Sequence, residues 1–161
     1  MSYYRQFPYK NNQLRIYINN YKDKMLQGIA SFGIDKKSMV FQNIISVILA
    51  FDSFIDSQNF PQASTERRTF NNHKLSKKEV LSMEKNNEVK SNHIGKPPID
   101  DKAVFIVEVD YRQNATWQGS VVWVEANEKK QFRSALELIM LMTSALDSPS
   151  TESFTKVAKE I

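Results

Sequence analysis

Apolar and polar residues alternate with a period of two over Leu14, Ile16, Ile18 and again over Leu26, Gly28, Ala30, Phe32, the spacing of strands that bury one face. The same alternation returns at a constant offset of 91 residues, at Phe105, Val107, Val109 and at Trp117, Gly119, Val121, Trp123. Past each second strand the period lengthens to that of a helix. Phe41, Ile44, Ile45, Ile48, Phe51 and Ile55 form one such run, and Phe132, Ala135, Leu136, Ile139, Met142 and Leu146 form the other. Residues 14–56 and 105–147 therefore align without a gap, with Gln27/Gln118, Gly28/Gly119, Phe41/Phe132, Ile48/Ile139, Ser53/Ser144 and Asp56/Asp147 identical. A duplicated strand–strand–helix unit explains this pattern.

The expected fold is α+β: two tandem ββα units form a four-stranded antiparallel sheet, with both helices on one face and a pseudo-twofold axis between the units. Lys22-Asp23-Lys24 and Gln113-Asn114-Ala115 supply the hairpin turns. Asp23 and Asn114 occupy corresponding positions and are the residue types, glycine aside, that best tolerate a left-handed turn. Gly28 and Gly119 fall on the inward face, where a missing side chain leaves room for a neighbouring one or lets a helix approach. Each helix carries a second apolar stripe, Val47, Phe51, Phe54 in one and Leu138, Leu141, Ala145 in the other. Two buried faces per helix predict helices that touch each other, or a dimer that covers the remainder.

Residues 57–102 make a connection far longer than an ordinary loop of about 4–6 residues. Within it Ser76-Lys77-Lys78-Glu79 has the form of a capping box, predicting a helix near 77–86. In the tail, Phe154, Val157, Ala158 and Ile161 recur at helical spacing after Pro149, predicting a short C-terminal helix. At 161 residues with 41% hydrophobic content, the chain fits one domain, 1–161.

Charge alters this picture only locally. The net charge is +4, and residues 66–96 carry all of it, with eight basic side chains against four acidic. The paired units and termini are together neutral, unlike a body that tracks phosphates. The absence of cysteine excludes disulfides, thiolate metal sites and a cysteine nucleophile. With no apolar core in the opening residues and no apolar run long enough for a membrane span, a cytoplasmic protein is expected.

Candidate chemistry is scattered. His73 and His93, the only histidines, lie in the polar connection without carboxylates at ligand spacing. Glu108 and Asp110 share a strand with Arg112, a pattern that ordinarily solubilises an exposed face. No phosphate loop, dinucleotide fingerprint, nucleophile elbow or zincin motif is present. No metal, no cofactor and no catalysis are expected.

Asn114-Ala115-Thr116-Trp117-Gln118-Gly119 resembles the [D/N]xSxxG half of a PilZ cyclic-dinucleotide site, with Thr in place of Ser and without the RxxxR element that grips phosphates in that family. Gln113–Gly119 (QNATWQG) followed by Phe132–Ile139 (FRSALELI) resembles a family of small bacterial proteins. That resemblance covers the second unit and implies no activity. The expected function is a non-catalytic binding module working through a protein partner or self-association. The candidate surface is the outward sheet face, with Tyr17, Tyr21, Met25, Gln27, Ile29, Arg112, Gln118 and Val122. The alternative is single-stranded nucleic-acid binding, with Tyr17 and Tyr21 stacking on bases and Arg67, Arg68, Lys74, Lys77 and Lys78 holding phosphates.

Overall fold

The computed structural model of the chain describes residues 7–66, 68–70 and 102–148. The elements run β1 (Gln13–Lys22), β2 (Met25–Phe32), β3 (Lys37–Phe41), α1 (Ile44–Gln58), β4 (Ala103–Tyr111), β5 (Gln118–Trp123), β6 (Glu128–Phe132) and α2 (Ala135–Asp147). All six strands form one antiparallel sheet in the order β3-β2-β1-β4-β5-β6. The fold is α+β as expected, but the sheet has six strands, not four, because each half contributes a third strand. The helices expected near 77–86 and at the C-terminus lie outside the described residues.

The third strands explain where the helices begin. Phe41 and Phe132, read from the sequence as the first helical residues, instead end β3 and β6 with their side chains in the core. The helices start three residues later, behind Asn43 and Ser134. Asn43 Oδ1 accepts from the Ile45 amide at 2.9 Å, and Ser134 Oγ accepts from the Glu137 amide at 3.0 Å. Each thus satisfies one of the amides a helix leaves unpaired at its first turn. At the hairpins the expectation holds: Asp23 and Asn114 have positive φ, as do Lys24 and Ala115 after them. Two consecutive left-handed residues give the turn whose twist matches that of the flanking strands.

One core lies between the sheet and the helices. Leu14, Ile16, Ile18, Phe105, Val107 and Val109 from the two central strands pack with Phe32, Val47, Phe51, Ile55, Leu138 and Met142. α1 lies over β2 and β3, and α2 over β5 and β6, so both helices occupy one face. Phe51 meets Phe32 and Trp117 edge-on at 5.6 Å between ring centroids, a favoured aromatic geometry. No helix among the described residues is long and apolar enough to cross a membrane.

Candidate functional site

A β-bulge in each central strand decides which side chains face which way. Ile18 pairs with Gly28 but Asn20 pairs with Gln27, so Asn19 is an extra residue in β1. Val109 pairs with Gly119 but Tyr111 pairs with Gln118, so Asp110 is the extra residue in β4. One inserted residue shifts the register and moves every later side chain to the opposite face. Tyr21 and Arg112, placed by simple alternation on the outward face, consequently lie on the helix side. The two glycines sit opposite these bulges. A Cβ on Gly28 would lie 1.8 Å from the Tyr17 carbonyl oxygen, and one on Gly119 would lie 1.9 Å from that of Glu108. The room they leave is for the backbone of the neighbouring strand, not for a side chain or a helix.

Once turned inward, Tyr21 and Arg112 each reach the helix of the other half. Arg112, 7% exposed, donates from Nη1 to Asp52 Oδ1 at 3.2 Å and forms an ion pair with Asp56 Oδ1 at 2.6 Å, both on α1. Its Nε donates to the Pro61 carbonyl at 2.8 Å. Trp117 Nε1 adds a bond to Asp52 Oδ1 at 2.8 Å. The strap after α1 is drawn alongside, with Ala63 bridging to Arg112 and the Ser64 amide donating to the Arg112 carbonyl at 3.0 Å. At the corresponding place in the first half, the Tyr21 hydroxyl bonds Asp147 at the end of α2 at 2.9 Å, and Lys24 pairs with the same carboxylate. Hydrogen bonds from Lys24 and Tyr21 hold the Asp147 carboxyl below the usual carboxylate range. Asp56 and Asp147, 91 residues apart and identical, are thus the anchor points that tie each helix to the opposite hairpin. Their identity in the alignment is the signal that could have singled them out.

A cleft of about 800 Å³ opens beside the Arg112 cluster and is lined by Asp52, Asp56, Glu66, Arg68, Thr116 and Trp117 among others. Three carboxylates against two guanidiniums, one of them already committed to Asp52 and Asp56, make a poor cradle for phosphate. The residues resembling a PilZ half-site have internal uses here. Asn114 and Ala115 form the turn, Thr116 Oγ1 accepts from the Ala135 amide at 3.1 Å, Trp117 holds Asp52, and Gly119 admits the Glu108 carbonyl.

The outward face is divided rather than continuous. Its centre is a small apolar cluster of Val104, Ile106 and Val124, with Phe7, Tyr17 and Val122 packed against it. Arg15, buried beneath the N-terminal segment, stacks on the Tyr9 ring at 3.6 Å and donates to the Phe7 carbonyl. Burial, with Tyr9 alongside, pushes the Tyr17 phenol up. Of the eight proposed face residues, Tyr17 and Val122 are partly covered by the chain itself, and Tyr21 and Arg112 point to the helices. Gln27 accepts from Asn20 at 2.9 Å, and Gln118 bridges the Gln113 amide and carbonyl. Met25 remains 52% exposed, and Ile29 is half-buried. Of the phosphate-holding candidates only Arg68 is described, exposed at the rim of the cleft. Arg67, Lys74, Lys77 and Lys78 lie outside the described residues, as do His73 and His93. Glu108 pairs with Lys10 at 2.7 Å, and among the described residues no three metal-ligating side chains group together.

The carboxylate of Glu125, exposed as a residue but desolvated at its carboxyl group, gives a pH-dependent prediction. Glu125 Oε2 accepts from the Val104 amide at 3.0 Å, yet burial pushes its carboxyl above the ordinary value. A raised folded pKa favours the protonated form, so the stability cost is absent below the ordinary glutamate pKa and grows as pH rises through the folded value. Glu125→Gln keeps an acceptor for Val104 and removes the charge. It is expected to raise the melting temperature at pH 7 and leave it unchanged at pH 4; an equal shift at both would discount burial as the cause.

What sequence reasoning missed is apolar and lies on the helices. Ile45 and Leu49 on α1 are 54% and 55% exposed, and Leu136 and Met140, at the corresponding positions of α2, are 67% and 60% exposed. Ile45 was expected in the buried stripe. Instead α1 buries Ile44, Val47, Phe51, Phe54 and Ile55, which includes its whole second stripe, and it is the first stripe that is only partly enclosed, with Ile45 exposed and Ile48 half-buried. Positions 45, 49, 52 and 56 follow one flank of α1, as 136, 140, 143 and 147 follow one flank of α2. Since Asp52 and Asp56 reach Arg112 and Asp147 reaches Tyr21, each flank turns toward the other half. No protein-family model matches the chain, and neither a curated protein nor a solved structure gives a match.

Proposed function

We propose that this chain is a non-catalytic binding module, two copies of one βββα unit about a pseudo-twofold axis, that acts by docking another protein surface on its paired helix ridges. The observation that carries this reading is the exposure of Ile45, Leu49, Leu136 and Met140 at two pairs of corresponding positions. Exposed apolar side chains scattered singly are ordinary on a soluble protein, whereas two on successive turns of one helix flank, repeated on the second helix, make apolar ridges of the kind that mark a contact surface. Covering each half-exposed side chain is worth about 1 kcal/mol. The same offset supports the two-copy reading through the bulges after Ile18 and Val109, the caps Asn43 and Ser134, and the anchors Asp56 and Asp147. A stacking platform for nucleic acid is less well supported, because Phe7 and Tyr9 already lie over Tyr17 and Arg15.

Leu49→Glu combined with Met140→Glu places charge on both ridges without entering the core. In gel filtration of cell extracts, the wild-type chain is expected to elute in a complex and the folded double variant at the size of the isolated chain. Identical elution of the two, large or small, would overturn the proposal.

A further inference from the structure

We infer that the space bounded by α2 and by β4, β5 and β6 is a binding site for a free aromatic amino acid, whose ring takes a place left untaken in the second half of the chain. The first half shows what fills that place. Phe54 is 8% exposed, its ring centroid 5.1 Å from that of Phe32 and 6.1 Å from that of Phe51, with the Lys37 ammonium 5.6 Å over the ring. At the offset of 91 residues these four positions are Ala145, Trp123, Met142 and Glu128. All four line one cavity of about 330 Å³, at the lower end of the range of small-ligand sites, about 300–1,000 Å³. Phe105 and Val121, larger than Leu14 and Ala30 at the corresponding positions, raise its floor without closing it. Protein interiors are close-packed, and the group that completes the packing in the first half is a phenyl ring.

The mouth selects the rest of the ligand. Glu128 and Lys130 on β6 line the cavity, both more than half exposed, and their charged groups stand 3.9 Å apart, a loose ion pair. A ligand with one charge meets one attraction and one repulsion there. An ammonium beside Glu128 and a carboxylate beside Lys130 meet two attractions, and an amino acid carries both groups on its α-carbon. The first half has Lys37 and Met39 at these positions, so the pair of opposite charges occurs only in the half whose cavity is open. Because the site lies under α2 and not on the flank of Leu136 and Met140, it does not depend on the docking proposal.

Isothermal titration calorimetry of the purified full chain with L-phenylalanine, hydrocinnamate and phenethylamine tests this. L-Phenylalanine is expected to bind, and the two singly charged analogues about three- to tenfold more weakly, the worth of exposed ion pairs. Glu128→Gln, at an exposed edge position, should weaken L-phenylalanine and strengthen hydrocinnamate, whose carboxylate no longer meets a like charge. Ala145→Phe gives this half the ring that Phe54 supplies to the other, and is expected to abolish binding and raise the melting temperature by filling the cavity. Should that variant fail to fold, the opposite responses to Glu128→Gln decide the matter. No heat from any of the three compounds at millimolar concentration would overturn the site, as would equal binding of all three or unaltered binding by a folded Ala145→Phe chain. Binding gained only in Phe154→Ala would also overturn it, assigning the space to residues 149–161 of the chain itself.

Discussion

Replacing Arg112 by alanine is expected to lower the unfolding free energy by about 3–5 kcal/mol, the range for removing one partner of a buried ion pair. Arg112 is 7% exposed and Asp52 only 19% at the side chain, so alanine would leave a largely enclosed carboxylate bonded to Trp117 Nε1 but without Arg112 as its counter-charge. The Pro61 carbonyl would lose the guanidinium that now donates to it, and the strap through Ala63 would lose its side-chain tie. Urea unfolding at neutral pH measures this directly. Arg112→Lys should fall between the two, since an ammonium keeps the charge but not the fork that reaches Asp52, Asp56 and Pro61 together. Tyr21→Phe, at the corresponding position, is expected to cost far less, because its partners Asp147 and Lys24 are largely solvated and exposed pairs contribute little. If Arg112→Ala cost less than about 1 kcal/mol, the joint between the halves would have to rest on apolar packing alone.

The second large effect is expected at Gly119. An alanine there would bring Cβ to 1.9 Å from the Glu108 carbonyl oxygen, with the Glu108 carbonyl carbon at 3.0 Å and Val109 Cα at 3.1 Å. All three are backbone atoms of a central strand, so no side-chain rotation relieves the clash. Relief requires β4 or β5 to move, against pairing with β1 on one side and β6 on the other. A loss above about 3 kcal/mol, beyond ordinary overpacking of a core, is expected. Gly28→Ala should behave likewise, with Tyr17 oxygen at 1.8 Å. A Gly119→Ala chain with unchanged urea midpoint would show that the bulge is not needed for the fold. The two effects are linked, because the bulge that needs the glycine also turns Arg112 toward α1.

That linkage explains which parts were legible beforehand. Leu14, Ile16 and Ile18, like Phe105, Val107 and Val109, precede their bulges, and simple alternation assigned them correctly to the core. Tyr21 and Arg112 follow the bulges, and the same rule sent them to the wrong face. β3 and β6 escaped notice for a different reason. Lys37–Phe41 and Glu128–Phe132 are edge strands whose residues are mostly exposed, so they carry little of the alternation by which a half-buried strand is recognised. On the helices the periodicity identified the apolar positions but not their depth. Ile44 and Ile45 are adjacent and alike, and only the placement of α1 over β2 and β3 buries the first and leaves the second in solvent.

By itself the sequence determined the local geometry of this protein: two hairpins with left-handed turns at Asp23 and Asn114, an apolar helix after each, and an offset of 91 residues between them. Periodicity and turn chemistry act between near neighbours, so one strand of letters is enough to record them. The tertiary structure alone decided the joins, with Asn19 and Asp110 as the extra residues, Arg112 on Asp52 and Asp56, Tyr21 on Asp147, and the ridges of Ile45 and Leu136 left open. A bulge exists only relative to a partner strand, and an ion pair spanning 60 positions exists only once the sheet brings its ends together.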